Sequence, residues 1–412
     1  MHVTEFLLPH PPPPLLTRHP LYSPSTHRIT LLEAASTSSG GRTEDSITDP
    51  ATLADPTGSS TAPPQGRNPS HDGIAGGSSG KAGGLLALWA FPSNIVPLSF
   101  GLHDELAKEH GGATRWGYRR CYASQVECQA RLPGGVVGGK EDAQSGGAGD
   151  VTRGLHKDHR KTIKRLKDLG APEDLDWSTR SMAQLAEEKG VRIITGARVT
   201  GINKANNRHV ESVTYIKNGK EETLPTTDAV VAAGPWTPRL LPEVPVTASR
   251  AHSVVIRTPK PVSPYALFTS ITLPSGFPGV KRAQTVEPEI YARPDGTAYA
   301  CGPTDSAVAL PPTTAEVEVD RARCEDIVRQ VGAISDELGR DGEVLARQAC
   351  YLPQGGPFIG RVPGHEGVVV AAGHTCWGIQ NAPGTGKLVS EILLDGEASS
   401  ARLGSCDPSR LL

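Results

Sequence analysis

Two short apolar runs constrain the fold of this 412-residue chain most. Residues 228–233, DAVVAA, and residues 368–372, VVVAA, each stop on a glycine, Gly234 and Gly373. Valine-rich runs of that length without polar alternation read as strands buried on both faces. Such strands belong to parallel sheets covered by helices. A third strand is expected in HRITLLEA, where Ile29, Leu31 and Leu32 precede a polar break. Helices are predicted over Leu85–Leu106, Asp158–Leu169, Ser181–Lys189 (ended by Gly190), Asp320–Leu338 and from about Gly386 to Leu394. VRIITGARVTGI follows Gly190, and Asn218-Gly219 marks a hairpin. Trp116–Ala130 alternates as a strand, and residues 245–310 are β-rich. Strand and helix alternate at both ends of the chain, which predicts an α/β fold with a parallel sheet plus an antiparallel second domain.

Composition narrows the function classes. Glycine (46) and proline (36) make about one residue in five. They show no Gly-X-Y period, so collagen is excluded. They concentrate in residues 1–26, 35–72 and 133–149, which lack an apolar period and are expected to be flexible or disordered. A net charge of −2 gives no electrostatic reason to expect nucleic acid or an anionic membrane as partner. The seven cysteines are scattered, with no CxxC or Cys/His cluster, so neither a disulfide framework nor a metal site is indicated. No apolar run reaches membrane-span length. The N-terminus lacks the apolar core of a signal peptide, and Leu412 spoils a peroxisomal-type C-terminus. Cytoplasm is the default expectation, with a small-molecule substrate and an oligomeric state the sequence leaves open.

Four segments carry chemistry. Glu33 closes a strand, where an acidic side chain of a dinucleotide fold accepts hydrogen bonds from a ribose. The glycine-rich GGSSGKAGG, Gly76–Gly84, precedes the apolar segment predicted as helix, a setting suited to an anion or a ring edge; the alternative is a flexible linker. DAVVAAGPWTPRLL stops a buried strand on Ala-Gly, as does GVVVAAGHTCWGIQNAPGTGK. Ligands bind at the carboxyl ends of such strands. The second segment is not a phosphate loop of the GxxxxGK[ST] type, because Asn381 stands five residues before Gly386 and Leu388 follows Lys387.

With LLEA, GGSSGKAGGLL, DAVVAAGPW, PFIGRVPG, VVVAAGH and GIQNAP in this order, the chain resembles the FAD-dependent amine and amino-acid oxidoreductases of the glycine oxidase, sarcosine oxidase and D-amino-acid oxidase superfamily. It looks closest to a fungal subgroup of oxidoreductases, over about residues 15–34 and 73–400. The resemblance implies a FAD-binding, Rossmann-like domain of the glutathione-reductase type, from residues 27–110, 181–242 and 345–400. An antiparallel β-rich substrate domain, from residues 115–180 and 243–344, would interleave with it. The cofactor would be noncovalent FAD, since Gly76–Gly84 holds no His or Cys. Glu33 and Ala34 would meet the adenosine ribose and Val199 the adenine. Ser79, Gly80, Lys81, Ala82, Gly83, Gly84 and Leu85 would lie along the pyrophosphate and flavin. Ala233, Gly234 and Trp236 would pass near the cofactor. Gly373, His374, Gly378, Ile379 and Gln380 would close over the flavin ring. His374 and Trp377 are the candidate catalytic side chains, and Arg293, Tyr351 and Cys376 the candidate substrate contacts.

Two departures stand beside the match. The family opens with a buried strand and GxGxxG; here MHVTEFLLPHPPPP has no glycine and four consecutive prolines. The central strand and pyrophosphate cradle are therefore expected to be missing, leaving the N-terminal strand incomplete, and LDWSTRSMAQL, Leu175–Leu185, is read as a second shortening. The amino-acid oxidases also hold a substrate carboxylate with arginines; Leu352 and Cys376 stand where two of those would fall. Loss of a bidentate clamp disfavours a simple amino acid. The expected activity is hydride transfer from an amine or amino-acid-like substrate. The alternatives are an inactive member acting as an interaction protein and an NAD(P)-linked enzyme.

Overall fold

The computed structural model describes residues 2–7, 17–35, 73–130, 163–164, 173–174, 179–206 and 209–410. Its largest parallel element is a six-stranded sheet in the order Phe358–Arg361, Val368–Ala372, Asp228–Val231, His2–Leu7, His27–Glu33 and Arg192–Thr195. Only the edge strand Phe358–Arg361 runs antiparallel to its neighbour. Alternation along each strand divides its residues between two cores, as burial on both faces requires. Ile29, Leu31, Val230, Val369 and Ala371 pack with Leu388, Val389 and Ile392 of the helix Gly378–Leu394. Leu32, Ala229, Val231, Val368 and Val370 face the other way, onto Val213 and Tyr215. Those two belong to a three-stranded meander of Ala197–Ala205, His209–Lys217 and Lys220–Pro225, turned at Asn218-Gly219.

The second large sheet has eight strands. Its path runs Glu343–Gln354, Thr247–Arg257, Thr297–Cys301, Glu289–Ala292, Tyr265–Leu273, Tyr122–Gln129 and Ile163–Lys164, with Gln284–Val286 joined to Tyr265–Leu273. One face carries Val254, Ile256, Ile290, Ala298 and Ala300 and is covered by Cys324, Ile327 and Val331 of the helix Arg321–Gly332. Asp320 caps that helix, accepting from the amides of Ala322 and Arg323. The opposite face carries Ala266, Tyr291 and Tyr299 and packs on Leu85. Among the described residues no helix is long and apolar enough to cross a membrane.

The structure corrects several expectations. The central strand is present: His2–Leu7 pairs in parallel with both His27–Leu32 and Asp228–Val231. HVTEFL carries β-formers (Val, Thr, Phe), and its position between two buried strands is supplied by tertiary pairing. Residues 8–16, 36–72 and 133–149 lie outside the described residues; residues 17–26 form turns. Leu85–Leu106 is not one helix. Leu85–Leu86 is a short strand, and the helix runs Val96–His110 with Pro97 in its first turn, the one place a helix accepts proline readily. The helix expected over Asp158–Leu169 is replaced, where described, by the strand Ile163–Lys164 paired with Gln125 and Val126. The last helix begins at Gly378 rather than near Gly386.

That early start has a local cause. Pro383 lies inside the helix and has no N–H for the Ile379 carbonyl. His103, on the neighbouring helix, donates from Nε2 to Ile379 O (3.0 Å) and Gln380 O (3.2 Å) instead. Four residues earlier, Ser99 Oγ accepts from Gly384 N at 2.9 Å. The close approach needs Gly384, whose added Cβ would lie 2.9 Å from Ser99 Cβ. Burial pushes the His103 imidazole down to about 3, so it stays neutral.

Candidate active site

A cavity of about 300 Å³ opens at the carboxyl ends of the parallel strands. Glu33, Ala34, Val199, Ala233 and Trp236, drawn from three separate segments, all line it. Glu33 is buried and accepts from Ala35 N at 2.9 Å through Oε1. Burial raises its carboxyl from 4.5 to about 7 against the opposing pull of the Ala34 and Ala35 amides. The sequence reading missed the rest of the wall: Arg198, Thr200, Arg239, Leu240 and Pro312–Thr314. Arg239 is fixed there by donating to the carbonyls of Leu310, Pro311 and Pro312, and Trp236 Nε1 donates to Pro311 O at 2.7 Å.

The glycine-rich segment leads from this cavity to the eight-stranded sheet. A Cβ on Gly76 would lie 2.6 Å from Thr314 Oγ1, at the cavity wall. Ser79–Lys81 forms a short 3-10 turn. A Cβ on Gly80 would fall 1.9 Å from Ala75 O, and one on Gly83 would fall 2.5 Å from the Tyr291 ring. Glycine is therefore required at both positions for the backbone to pass. The segment is not followed directly by a helix N-terminus, so the expected dipole for an anion is absent at that point; Val96 opens the helix eleven residues after Leu85. Lys81 is half-buried and donates to Ala349 O at 2.9 Å, and desolvation lowers its ammonium pKa. Arg293 donates to Ala82 O at 2.8 Å and stacks over the Tyr299 ring. Its side chain is buried.

The loop after Val368–Ala372 closes the arrangement. Gly373 has φ +88°, a conformation that favours glycine. His374 is buried and shares a 2.9 Å hydrogen bond with Thr385, so its imidazole turns into the last helix and fixes the loop there. Gly378 begins that helix, and a Cβ added there would meet Ser79 Oγ at 3.8 Å. Ile379 packs beside Leu86 and Leu106, and Gln380 Oε1 accepts from Ala87 N at 2.8 Å. Trp377 meets Trp89 edge-on at 5.4 Å between centroids. Trp89 meets Phe268 at 5.7 Å, and Phe268 meets Tyr291 at 6.3 Å. Tyr351 stands apart from this aromatic row, its hydroxyl donating to Val308 O and Ala309 O. Gly234 opens a 3-10 turn, Gly234–Arg239, beside the cavity. Trp377 was expected at the site; the rest of the aromatic row (Trp89, Phe268, Tyr291) and Glu289 were missed from sequence. For Glu289 and Tyr291 the signal was the alternation Glu289, Tyr291, Arg293 within EPEIYARPDG.

Comparison with known proteins agrees with this arrangement. The family model of FAD-dependent oxidoreductases (DAO) matches residues 70–392. Two fungal proteins named as oxidoreductases align over most of their length. TDA3 of Saccharomyces cerevisiae is 30% identical, covering 95% of this chain and 91% of its own. C1F5.03c of Schizosaccharomyces pombe is 32% identical, covering 82% and 88%. Among solved structures, glycine oxidase from Bacillus cereus superposes with a TM-score of 0.60 at 16% identity, covering 97% of this chain and 98% of that one. L-amino acid deaminase from Proteus vulgaris gives 0.65 at 15%, covering 99% and 96%. The fold is therefore theirs, and the chain belongs to the DAO family of FAD-dependent oxidoreductases.

Proposed function

We propose that this chain oxidises the C–H bond beside an amine nitrogen of a small molecule. One observation carries the reading: a single glycine-rich segment touches the nucleotide-type cavity at Gly76 and the aromatic face at Gly83. The residues present fit FAD. A buried carboxyl, Glu33, stands in a cavity at the strand ends, the usual place for a ribose partner. Glu33, Ala34, Val199 and Ala233 would hold the adenosine, and Ser79–Leu85 with Gly373–Gln380 the pyrophosphate and flavin. Bound FAD supplies a two-electron acceptor for hydride, regenerated by an external oxidant.

This chain's own residues do the positioning. Gly83 lets Tyr291 sit directly on the segment, while Lys81 ties the segment to the strand Glu343–Gln354 and Arg293 ties it to the turn after Glu289–Ala292. Trp89, Phe268 and Trp377 form an apolar wall that shields the reacting bond from water and orients it. Through Thr385, His374 holds the Gly373–Trp377 loop in place, a positioning role rather than proton transfer. Glycine oxidase and L-amino acid deaminase, both named for amino-acid substrates, share the fold and lend support to an amine substrate. The test is anaerobic titration of the FAD-reconstituted protein with a panel of amines and amino acids. Bleaching of the flavin band by at least one amino compound is expected. A protein that takes up no FAD, or a holo-protein that no amino compound bleaches, would overturn the proposal.

A further inference from the structure

We infer that the substrate site is built for a cationic amine lacking a carboxylate, with Glu289 as the anchor of its ammonium group. The inference rests on the amine-oxidising reading above and names its substrate class.

Register places the anchor. Glu289 pairs with Cys301 on one neighbouring strand and Phe268 on the other; Tyr291 pairs with Tyr299 and Ala266. These residues share one face of the sheet, while Ile290 and Ala300 turn to the helix-covered face. The shared face is the one on which Gly83 and Leu85 lie. Glu289 therefore stands beside the glycine-rich segment and not in the sheet's own core.

Charge makes the position informative. Half-buried Glu289 accepts from the Tyr291 hydroxyl and, at 3.8 Å, from the Cys301 thiol. Neither donor is a cation, and among the described residues no cation forms an ion pair with Glu289. Burial and the Glu289 charge both push the Tyr291, Cys301 and Cys376 protons toward retention, so none of the three neutralises the site. A partly desolvated carboxylate surrounded only by neutral donors is completed by a cation from outside. The wall beside it, Phe268, Trp89 and Trp377, offers aromatic faces and edges, and Trp89 is exposed. Aromatic faces attract ammonium groups.

The cations near this face are already engaged. Arg293 donates to Ala82 O and stacks on Tyr299, with its Nε left without a partner; Lys81 donates to Ala349 O; Arg119 donates to Ala292 O at 2.6 Å. Arg293 lies just past the end of the strand Glu289–Ala292, so Tyr291, seated on Gly83, comes between it and Glu289 along the chain. A carboxylate beside Glu289 would meet repulsion, and the nearest guanidinium on the segment, Arg293, already donates to Ala82 O.

The test uses the FAD-reconstituted protein and two probes of similar shape and opposite charge, benzyltrimethylammonium and benzoate. Binding is read by calorimetry and by quenching of tryptophan fluorescence. The cation is expected to bind, benzoate to bind at least about tenfold more weakly, and Glu289→Gln to weaken the cation about tenfold or more. Glu289→Gln keeps an acceptor for Tyr291, and its FAD content and melting temperature report folding. Phe268→Leu is the second variant and should lower cation affinity without creating benzoate affinity. Tighter binding of benzoate than of the cation, or unchanged cation binding in folded Glu289→Gln, would overturn the inference. A holo-protein that binds the cation while no amino compound bleaches its flavin would sink the oxidation reading and leave the anchor standing.

Discussion

The buried carboxyl of Glu33 makes the nucleotide cavity testable through pH alone. In the FAD-free chain its pKa is raised from 4.5 to about 7 by burial. Between those values the folded chain holds a proton that the unfolded chain has released. Stability therefore falls as pH rises from 4.5 to 7 and stays low above that window. The full cost is roughly 3 kcal/mol above pH 7. Glu33→Gln keeps the side-chain length and an acceptor for the 2.9 Å bond from Ala35 N, and removes the titration. Urea unfolding of both FAD-free proteins at pH 5 and pH 8 isolates the term, because any fixed cost of the substitution cancels in the difference between the two pH values. The variant should gain about 2–3 kcal/mol relative to the parent on going from pH 5 to pH 8. FAD should act in the opposite direction: ribose hydroxyls donating to Glu33 favour the carboxylate, so affinity should rise with pH from 6 to 8 in the parent and be weak and flat in the variant. Parallel stability profiles for the two proteins, with equal FAD affinity, would falsify the placement of Glu33 as a buried ribose partner.

Other perturbations read other parts of the site. Gly83→Ala places a methyl 2.5 Å from the Tyr291 ring, so the FAD-to-protein ratio should drop and stability fall by about 1–3 kcal/mol in thermal melts. His103 is held neutral at about 3 by burial, so the unfolded chain binds a proton that the folded chain refuses between 6.5 and 3. Stability present above pH 6.5 is then lost as pH falls, by roughly 5 kcal/mol in all, and His103→Gln should flatten that limb in acid unfolding while retaining a donor for Ile379 O. Glu391 accepts from the Ser399 and Ser400 amides, the Ser400 hydroxyl and Lys387, and despite its burial these hold its carboxyl down to about 2. Glu391→Gln should remove stability above pH 4.5 and leave acid stability near pH 2 unchanged, as read by denaturant midpoints.

What the sequence disclosed and what it hid divide along a physical line. His27–Glu33, Asp228–Val231 and Val368–Ala372 were legible because burial on both faces writes continuous apolar runs into the chain. The nucleotide cavity was half legible for the same reason: Glu33 and Ala233 sit where two of those runs stop. His2–Leu7 was passed over because the prolines after it suggested that no helix could follow, yet a strand needs only neighbours, and two buried strands supply them. The start of the last helix was hidden because Pro383 and three glycines read as loop; the groups that replace its lost hydrogen bonds, Ser99 and His103, lie nearly three hundred residues away. Glu289 was the hardest to see, since it follows no run and belongs to no local motif. It acquires meaning only when register sets it beside Cys301 and Phe268 and when Gly83 seats Tyr291 between it and Arg293. Local motifs thus report the cofactor half of such an enzyme, which varies little in chemistry. The half that selects the substrate is written across strands distant in sequence, where a single charge can replace an arginine clamp without disturbing any motif that identifies the family.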